Sequence, residues 1–324
     1  MRPVRRIVCS TYGPPTGLEI VESPDPTAGP GEVVVAVEAA GVNFADALSV
    51  AGKYQIKIPT PFTPGMEMAG TVSSLGDGVT ELALGDRVLG MTFGAYASHV
   101  VIPARALLRV PDALSLERAA GLVQSYCTMW YSLTRRMTLI EGQTVLVLGA
   151  GGGIGLAAVD VANALGARVI AAASSTEKLD GARAIGATDV INYATEDLKV
   201  RAKELSGGGV DVVVDPVGGE LAELALRATG WNGQFLVIGF AGGIPKLPAN
   251  LVLLNNRTLI GVDWGAWTGR DPQGQTTLLA EILAAVAEGR LHPPEPNRER
   301  LEDAGAVLQS VLDRQLVGKT VLVP

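Results

Sequence analysis

Residues 144–155 read Thr-Val-Leu-Val-Leu-Gly-Ala-Gly-Gly-Gly-Ile-Gly, and this stretch decides the fold. The aliphatic run 145–148 is typical of a buried parallel strand, and the Ala-rich stretch 156–165 is typical of a helix. The glycines at 149, 152 and 155 allow a tight turn, a close approach of a pyrophosphate and close packing of helix on strand. A glycine-rich segment alone is also compatible with a flexible loop. Because a strand precedes this one and a helix follows it, we predict a dinucleotide site in which the helix N-terminus faces the anion.

The segments around this turn alternate between strands and helices from residue 144 to about 264. This alternation predicts a parallel sheet with helices on both faces. Residues 1–120 contain short strand-like pieces separated by Pro and Gly, which predicts a compact β-rich domain. A helical stretch is expected over 116–137 and an amphipathic helix over 276–288, and the final strand, 319–323, is expected to return to the first domain. The predicted strands of the alternating region are 144–148, 168–173, 189–193, 210–214, 234–239 and 258–262.

Composition narrows the class of protein. A chain of 324 residues suits two domains of about 150 residues each. The net charge of −7 and the absence of a long basic run argue against nucleic acid or an anionic membrane as the main partner. Cys9 and Cys127 form neither a disulfide framework nor a zinc pattern. Residues 1–6 lead into no apolar signal-peptide core, and no apolar run reaches about 18 residues, so we expect a soluble, cytoplasmic protein.

The end of the second predicted strand indicates the cofactor. NAD-binding folds place an acidic residue there to hold the ribose 2′-hydroxyl. This chain has Ser174 and Ser175 instead, followed by Lys178, and these groups suit a 2′-phosphate. The carboxylate of Glu177 argues against a 2′-phosphate. We therefore predict NADPH. The serines are also suited to cap a helix that begins near Thr176, with Lys178 on a solvated face, and capping is compatible with phosphate binding.

Six motifs in this order resemble a known family over essentially the whole chain. They are 40–46 (AGVNFAD), 61–70 (PFTPGMEMAG), 85–88 (GDRV), 149–155 (GAGGGIG), 215–219 (DPVGG) and 318–319 (GK). The chain resembles the medium-chain dehydrogenase/reductase superfamily, in its zinc-free, zeta-crystallin-like NADPH:quinone oxidoreductase branch. The resemblance implies an α/β protein with two domains. A GroES-like catalytic domain is expected over 1–122, completed by 266–324, and a Rossmann domain over 123–265.

The chain departs from the zinc-dependent relatives at the positions of two ligands. Asn43 and Met66 stand where those relatives carry cysteine and histidine, and their four-cysteine lobe is absent. Asparagine and methionine are poor ligands for Zn²⁺ beside thiolates and imidazoles. With only two cysteines and two histidines in the chain, we predict a metal-free enzyme.

Chemistry without a metal depends on the nicotinamide for the hydride and on the protein for placement and electrostatics. The resemblance to enoyl-thioester reductases of the family implies that Tyr54 donates to the developing oxyanion, and that Asn43 positions nicotinamide or substrate. Tyr54 is also compatible with a half-buried loop aromatic, and Asn43 with a turn residue that closes a strand.

The resemblance implies further contacts to the cofactor. Tyr193 is equally compatible with a strand-end aromatic on the core, and Trp264 with a core or dimer contact. The implied residues are Thr128, Gly152, Gly153, Ile154, Tyr193, Val217, Gly239, Phe240, Trp264 and Arg314.

Three functions remain open at this point. The first is an NADPH-dependent reductase of quinones or other conjugated carbonyls. The second is a 2-enoyl-thioester reductase, which needs basic residues at the entrance of its active site to bind the phosphate of CoA or of a carrier. The candidates for these basic residues are Lys53, Lys57 and Arg270. The third is an NADPH-binding, crystallin-like module with little turnover. The resemblance also implies a homodimer, and the outer strand 258–262 is the expected pairing edge.

Overall fold

The computed structural model describes residues 4–324, so the expectation drawn from residues 1–6 lies partly outside the described residues. The chain forms two compact units. Unit 1 comprises Met1–Gln124 and Glu295–Pro324, and unit 2 comprises Ser125–Pro294.

The strands of unit 1 are β1 Val4–Val8, β2 Glu19–Ser23, β3 Glu32–Gly41, β4 Glu67–Leu75, β5 Arg87–Met91, β6 His99–Pro103, β7 Leu107–Arg109, β14 Asn297–Arg300 and β15 Thr320–Val323. Those of unit 2 are β8 Thr144–Leu148, β9 Arg168–Ala173, β10 Asp189–Asn192, β11 Val210–Asp215, β12 Thr229–Val237 and β13 Thr258–Gly261. The helices are α1 Phe44–Val50, α2 Leu116–Ala120, α3 Val123–Tyr131, α4 Gly153–Ala164, α5 Thr176–Ala184, α6 Leu198–Ser206, α7 Gly219–Ala228, α8 Ala249–Leu253, α9 Trp264–Arg270, α10 Pro272–Ala287 and α11 Ala304–Leu312.

Unit 1 is built on the long strand β3, which pairs with three other strands. The sheet runs β14-β15-β3-β4-β5-β7, and β6 also pairs with β3. The valine-rich sequence of β3 is buried along most of its length, as expected of a strand with β-branched residues and several partners. Strand β15 pairs with the end of β3, where Leu322 lies opposite Ala40 and Val321 opposite Gly41. This pairing brings the C-terminal segment of the chain to the turn that follows β3.

Unit 2 confirms the doubly wound parallel sheet predicted from the sequence. Its six strands lie in the order β10-β9-β8-β11-β12-β13, and every neighbouring pair is parallel. The first strand of the unit, β8, is therefore central, with β9 on one side and β11 on the other. Because all the strands point the same way, the segments that follow β8, β9, β11 and β12 meet at one edge of the sheet.

Several predicted elements differ from the observed ones at their boundaries. The helix expected over 116–137 is two α-helices, α2 and α3, followed by a π-helical turn at Ser132–Arg136. The helix expected to begin at residue 276 begins at Pro272, because proline suits the first helical position and Asp271 caps the helix by accepting from the Gly274 amide at 2.8 Å. Helix α1 was not predicted.

The return of the chain to the first unit also comes later than predicted. The sequence placed 266–324 with the catalytic domain, whereas only the part from Glu295 onward belongs to unit 1. The reason is visible in α10, where the Glu281 carboxylate accepts from the Trp130 indole at 2.9 Å and from Arg135 at 2.6 Å. These two partners are residues of unit 2.

Among the helices described over 4–324, none combines the length and the apolar character that a membrane crossing requires.

Candidate functional site

The glycine turn of unit 2, defined here as residues 149–155, has a geometry that only glycine allows at two positions. Gly149 follows β8 with φ of +60°, and a Cβ there would come within 2.8 Å of the Val217 side chain. A Cβ on Gly155 would lie 2.2 Å from the Gly149 carbonyl oxygen. Helix α4 begins at Gly153 with Gly152 as its N-cap. The N–H groups of its first turn have no intrahelical acceptors, so they can receive an anion.

The residues predicted to select the cofactor lie beside this turn. Ser175 caps α5 by accepting from the Lys178 amide at 3.4 Å, which is the capping role considered from the sequence. A Cβ on Gly151 would meet the Lys178 Cβ at 2.4 Å, so the Lys178 stem packs directly on the glycine turn. Ser174 is exposed, and no carboxylate occupies the end of β9. The Tyr193 amide donates to the Ala173 carbonyl at 3.1 Å, which places this tyrosine next to the same strand end.

Two further predicted segments meet at this edge of the sheet. The Asp215 carboxylate, at the end of β11, accepts from the Val217 amide at 2.8 Å and from the Gly218 amide at 2.7 Å. The Gly239 amide donates to the Asp215 carbonyl at 3.3 Å, which ties the segment after β12 to the segment after β11. Phe240 is exposed beside them. The structure thus brings the glycine turn, Val217, Gly239 and Phe240 to one edge of unit 2.

Two predicted residues of unit 2 lie in its interior. Thr128 is buried in the middle of α3. Trp264 is only 5% exposed, and its indole N–H donates to Gln275 Oε1 at 2.8 Å. This position agrees with the core role that the sequence left open for Trp264.

The predicted catalytic Asn43 lies in unit 1 within a cluster of polar side chains. Lys319 Nζ donates to Val42 O at 3.0 Å, to Asn43 Oδ1 at 2.6 Å and to Glu67 Oε1 at 2.7 Å. Asn43 Nδ2 in turn donates to Glu67 Oε1 at 2.8 Å. We refer to Asn43, Asp46, Glu67, Tyr96 and Lys319 as the Asn43 cluster.

The second carboxylate of this cluster is Asp46, in the first turn of α1. Its Oδ2 accepts from the Asn43 amide at 2.9 Å and from the Tyr96 hydroxyl at 3.0 Å, while its Oδ1 is buried without a partner. Burial, and after it the charge of Glu67, raise the pKa of Asp46 to about 7 against the opposing effects of Tyr96, Lys319 and the Asn43 amide. Burial and the neighbouring carboxylates also raise the pKa of Tyr96. The cluster therefore holds two carboxyl groups and one ammonium away from water.

The other predicted residues of unit 1 lie farther along the chain. Tyr54 follows α1, is half-buried, and donates its amide to the Leu48 carbonyl at 3.1 Å. Asn43 precedes the same seven-residue helix, whose length is about 10 Å. The two predicted catalytic residues thus stand at opposite ends of α1. Arg314 is exposed after α11 with φ of +58°, in unit 1, whereas the glycine turn belongs to unit 2.

Comparison with known proteins agrees with this arrangement. Residues 29–112 match the family model of the alcohol dehydrogenase GroES-like domain, and residues 153–282 match that of the zinc-binding dehydrogenases. Over 324 residues the chain is 40% identical to the quinone oxidoreductase-like protein 2 homolog of Nematostella vectensis, covering 98% of this chain and 88% of the relative. The chain belongs to the quinone oxidoreductase branch of the medium-chain dehydrogenase/reductase superfamily.

Solved structures of the superfamily share the fold. The Escherichia coli quinone oxidoreductase complexed with NADPH superposes with a TM-score of 0.89 at 30% identity, covering 99% of this chain and 100% of the other. The CurK enoyl reductase superposes with a TM-score of 0.89 at 25% identity, covering 99% of each chain. The predicted α/β fold, with a GroES-like domain and a Rossmann domain, is confirmed.

One of the two family models is named for zinc, so the donors around Asn43 bear on whether a metal ion fits there. Asn43 Oδ1 and Glu67 Oε1 both accept from the Lys319 ammonium, at 2.6 and 2.7 Å. A divalent cation beside that ammonium would be strongly repelled. In the described part of the chain, no group of three or more His, Cys, Asp and Glu side chains is arranged to hold a metal ion. Cys9 and Cys127 lie in different units.

Sequence reasoning missed four members of the Asn43 cluster. Glu67 and Lys319 were visible inside two of the quoted motifs, but they were read only as marks of the family. A usable signal was present, since an acidic residue within the apolar stretch 64–70 is expected to need a charged partner. The partner itself lies 252 residues away and was not identifiable without the sheet.

Proposed function

We propose that this oxidoreductase uses NADPH to reduce quinones or other conjugated carbonyl compounds, without zinc. The observation that carries the proposal is the Lys319 ammonium, which donates to Asn43 Oδ1 and to Glu67 Oε1 and so places a positive charge at the position of Asn43. Oxidation of an alcohol requires a Lewis acid or a base, because an alkoxide has to form. A conjugated carbonyl requires less, because the charge that develops on its oxygen is delocalised.

The proposed chemistry assigns the hydride to NADPH and the remaining tasks to the protein. As hydride adds to the conjugated system, negative charge develops on the carbonyl oxygen, and that oxygen takes up a proton. We propose that the Tyr54 hydroxyl donates to this oxygen and that the Asn43 carboxamide holds a reactant in place. One such donor is typically worth about 2.7–4 kcal/mol.

The residues at the edge of the unit 2 sheet support NADPH as the cofactor. The E. coli relative binds NADPH in its solved complex, and here the end of β9 carries Ser174 and Ser175 in place of a carboxylate. Lys178 lies against the glycine turn, within reach of a phosphate at the same strand end. A hydrogen bond to a charged group contributes roughly 1.5–3 kcal/mol, which corresponds to about tenfold to a hundredfold in affinity.

A second candidate is a 2-enoyl-thioester reductase, which the similarity to the CurK enoyl reductase favours. In that reaction hydride would likewise add to a β-carbon, and the negative charge would develop on the carbonyl oxygen of the thioester. An NADPH-binding module with little turnover is the third possibility.

The deciding experiment is a panel of quinones, enones and enoyl-CoA esters, in which NADPH oxidation is followed by absorbance. The proposal expects turnover with quinones or enones, in enzyme freed of metal by a chelator and then dialysed. Turnover restricted to the CoA esters would replace it with the second candidate. NADPH binding without turnover on any acceptor would favour the third. Loss of activity on chelation, restored by zinc, would refute the metal-free mechanism.

We also propose a homodimer formed through the edge of the unit 2 sheet. Strand β13 is the last strand of that sheet, and Leu259 on it is 39% exposed. Leu253 and Leu254, shortly before it, are 77% and 57% exposed. Edge strands with apolar side chains invite pairing with a second copy. Light scattering is expected to give two chains per particle, and a Leu259→Lys variant is expected to give one. A single chain per particle in the unsubstituted protein would refute the dimer.

A further inference from the structure

The Asn43 cluster contains a buried ion pair that the proposed chemistry does not use directly. Lys319 lies just before β15, and Glu67 is the first residue of β4. Their side chains are 7% and 0% exposed, and their charged atoms are 2.7 Å apart. The pair joins the C-terminal segment of the chain to the strand that follows the 61–66 loop.

The hydrogen-bonding capacity of this pair is used inside the protein. The ammonium of lysine has three N–H donors, and the three acceptors of Lys319 are Val42 O, Asn43 Oδ1 and Glu67 Oε1. Glu67 Oε1 accepts from both Lys319 and Asn43, and Glu67 Oε2 accepts from the Gln124 amide at 2.7 Å. Lys319 is therefore not placed to deliver a proton to a ligand.

Within the Asn43 cluster, only Asn43 reaches the surface. Asp46, Glu67, Tyr96 and Lys319 are buried, whereas Asn43 is half-buried. A bound reactant that contacts this cluster therefore meets the Asn43 carboxamide and not the charges behind it.

The ion pair decides which way that carboxamide faces. The two ends of a carboxamide have nearly the same shape, so rotation by half a turn exchanges the oxygen and the NH₂ group. Here the Lys319 cation requires the oxygen on its side, and the Glu67 anion requires the NH₂ group on its side. Both bonds are charge-assisted, and hydrogen bonds of this kind are about twice as strong as neutral ones. Donation from the ammonium to Oδ1 also polarises the amide and strengthens its remaining N–H as a donor.

We propose that Lys319 and Glu67 are positioning residues that hold the Asn43 carboxamide in one orientation, with one Nδ2–H presented to an acceptor oxygen of a bound reactant. This inference rests on the proposed function for the presence of that reactant. Buried ion pairs generally add little stability over apolar side chains of similar size. A role in orienting Asn43 accounts for a charged pair at this position.

The inference is tested with a double-mutant cycle on Asn43→Ala and Lys319→Met, read on kcat/KM for the acceptor found in the panel. Lys319→Met in the native background is expected to lower kcat/KM by about tenfold to a hundredfold, as expected for a lost charge-assisted hydrogen bond. In the Asn43→Ala background the same change is expected to alter kcat/KM by less than twofold, because no carboxamide remains to be oriented. Equal losses in both backgrounds would overturn the inference, since Lys319 would then act independently of Asn43.

Stability is measured in parallel to separate positioning from folding. The melting temperature is expected to fall on Lys319→Met in both backgrounds, and by less in Asn43→Ala, because the bond to Asn43 Oδ1 is already absent there. If that variant does not fold, the Glu67→Gln/Lys319→Met pair replaces it, because it leaves no unpaired buried charge. This double variant is expected to have a melting temperature close to that of the unsubstituted protein and a kcat/KM as low as that of Lys319→Met. Recovery of kcat/KM together with the melting temperature would contradict a positioning role. Lys199→Met, on α6 in unit 2, is the matched control and should change neither quantity.

A spectroscopic measurement decides the inference even if no acceptor is reduced and the proposed function fails. The side-chain NH₂ signals of Asn43 are assigned in a ¹⁵N-labelled protein by their loss in Asn43→Ala. One well-resolved pair of NH₂ signals is expected for Asn43. Lys319→Met is expected to shift or broaden these signals, and Lys199→Met is expected to leave them unchanged. An Asn43 signal unaffected by Lys319→Met would show that the lysine does not hold the carboxamide.

Discussion

The glycine turn of unit 2 and the Asn43 cluster of unit 1 solve different problems by different means. The turn is contiguous in sequence and consists almost entirely of backbone, with Gly155 so close to the Gly149 carbonyl that no side chain fits between them. The Asn43 cluster assembles side-chain charges from three segments, and its two ends lie 276 residues apart. The first offers N–H groups to an anion, and the second orients one amide.

The difference teaches how each region responds to change. A site formed by backbone tolerates no added side-chain atom where two backbone segments are in close contact, because backbone atoms cannot rotate out of the way. A side-chain cluster tolerates changes of volume better than changes of charge, because an unpaired buried charge is strongly unfavourable. Four predictions test this contrast.

Crowding of the glycine turn should have the largest effect. Gly155→Ala places a Cβ 2.2 Å from the Gly149 oxygen, and we expect a loss of about 3 kcal/mol in the free energy of unfolding together with loss of NADPH binding. Gly181→Ala, in helix α5, is the matched control, because its Cβ would meet only the side chain of Leu156, at 3.9 Å. That change should be neutral or stabilising. The stability of both variants is measured by their denaturant midpoints. Equal midpoints would show that the glycine turn is no more sensitive to an added side chain than helix α5.

Removal of the proposed oxyanion donor should have the next largest effect. Tyr54→Phe is expected to lower kcat by about 100-fold to 1,000-fold, with little change in melting temperature. Tyr12→Phe is the control, because Tyr12 in the same unit donates its hydroxyl to the Ile58 carbonyl. If kcat of Tyr54→Phe equals that of the unsubstituted enzyme, Tyr54 only packs its ring, and the chemistry of unit 1 depends on Asn43 alone.

Reversal of the charge beside the glycine turn should alter cofactor choice and leave the fold intact. Lys178→Glu is expected to lower the preference for NADPH over NADH by about tenfold to a hundredfold, because a carboxylate repels the 2′-phosphate. Dissociation constants from the fluorescence of the bound dinucleotide measure the ratio, with Lys199→Glu as the control. An unchanged ratio would show that the 2′-phosphate is recognised by other groups, such as Ser174.

The Asn43 cluster should make stability depend on pH, with the smallest effect of the four. The pKa of Asp46 is about 7 in the folded chain and about 3.8 when unfolded, so the folded state binds an extra proton between these values. The contribution of this proton to stability is complete below pH 4 and is lost as the pH rises through 7. From pH 5 to 8 the free energy of unfolding should fall on the order of 2 kcal/mol from this group.

Asp46→Asn tests that assignment, because it removes the titration and keeps an oxygen for the Asn43 amide and the Tyr96 hydroxyl. Unfolding curves recorded from pH 5 to 8 should be flatter for this variant than for the unsubstituted chain. A slope that Asp46→Asn does not change would place the titrating group elsewhere in the protein.

Sequence patterns sufficed for much of unit 2, and the reasons are physical. The strand–glycine–helix unit, the parallel order of the sheet and the cluster of Ser174, Ser175 and Lys178 beside the turn all depend on residues close together in the chain. The helical stretch expected over 116–137 is present, but it is divided at Gly121 and ends in a π-helical turn. The C-terminal strand returns to the first unit as predicted, but the boundary lies at Glu295 and not at residue 266, because the packing of α10 through Glu281 is a tertiary contact.

By itself, the sequence determined the family, the two kinds of sheet and the glycine turn that suits a pyrophosphate, because local periodicity and backbone sterics specify these features. Only the tertiary structure decided that Trp264 is buried, that Asn43 and Tyr54 stand at opposite ends of one helix, and that Lys319 faces Glu67. A buried charge shows in the sequence only as an acidic or basic residue among apolar ones. Its partner is chosen by the pairing of β15 with β3, which joins segments almost 300 residues apart at a register that no local pattern records.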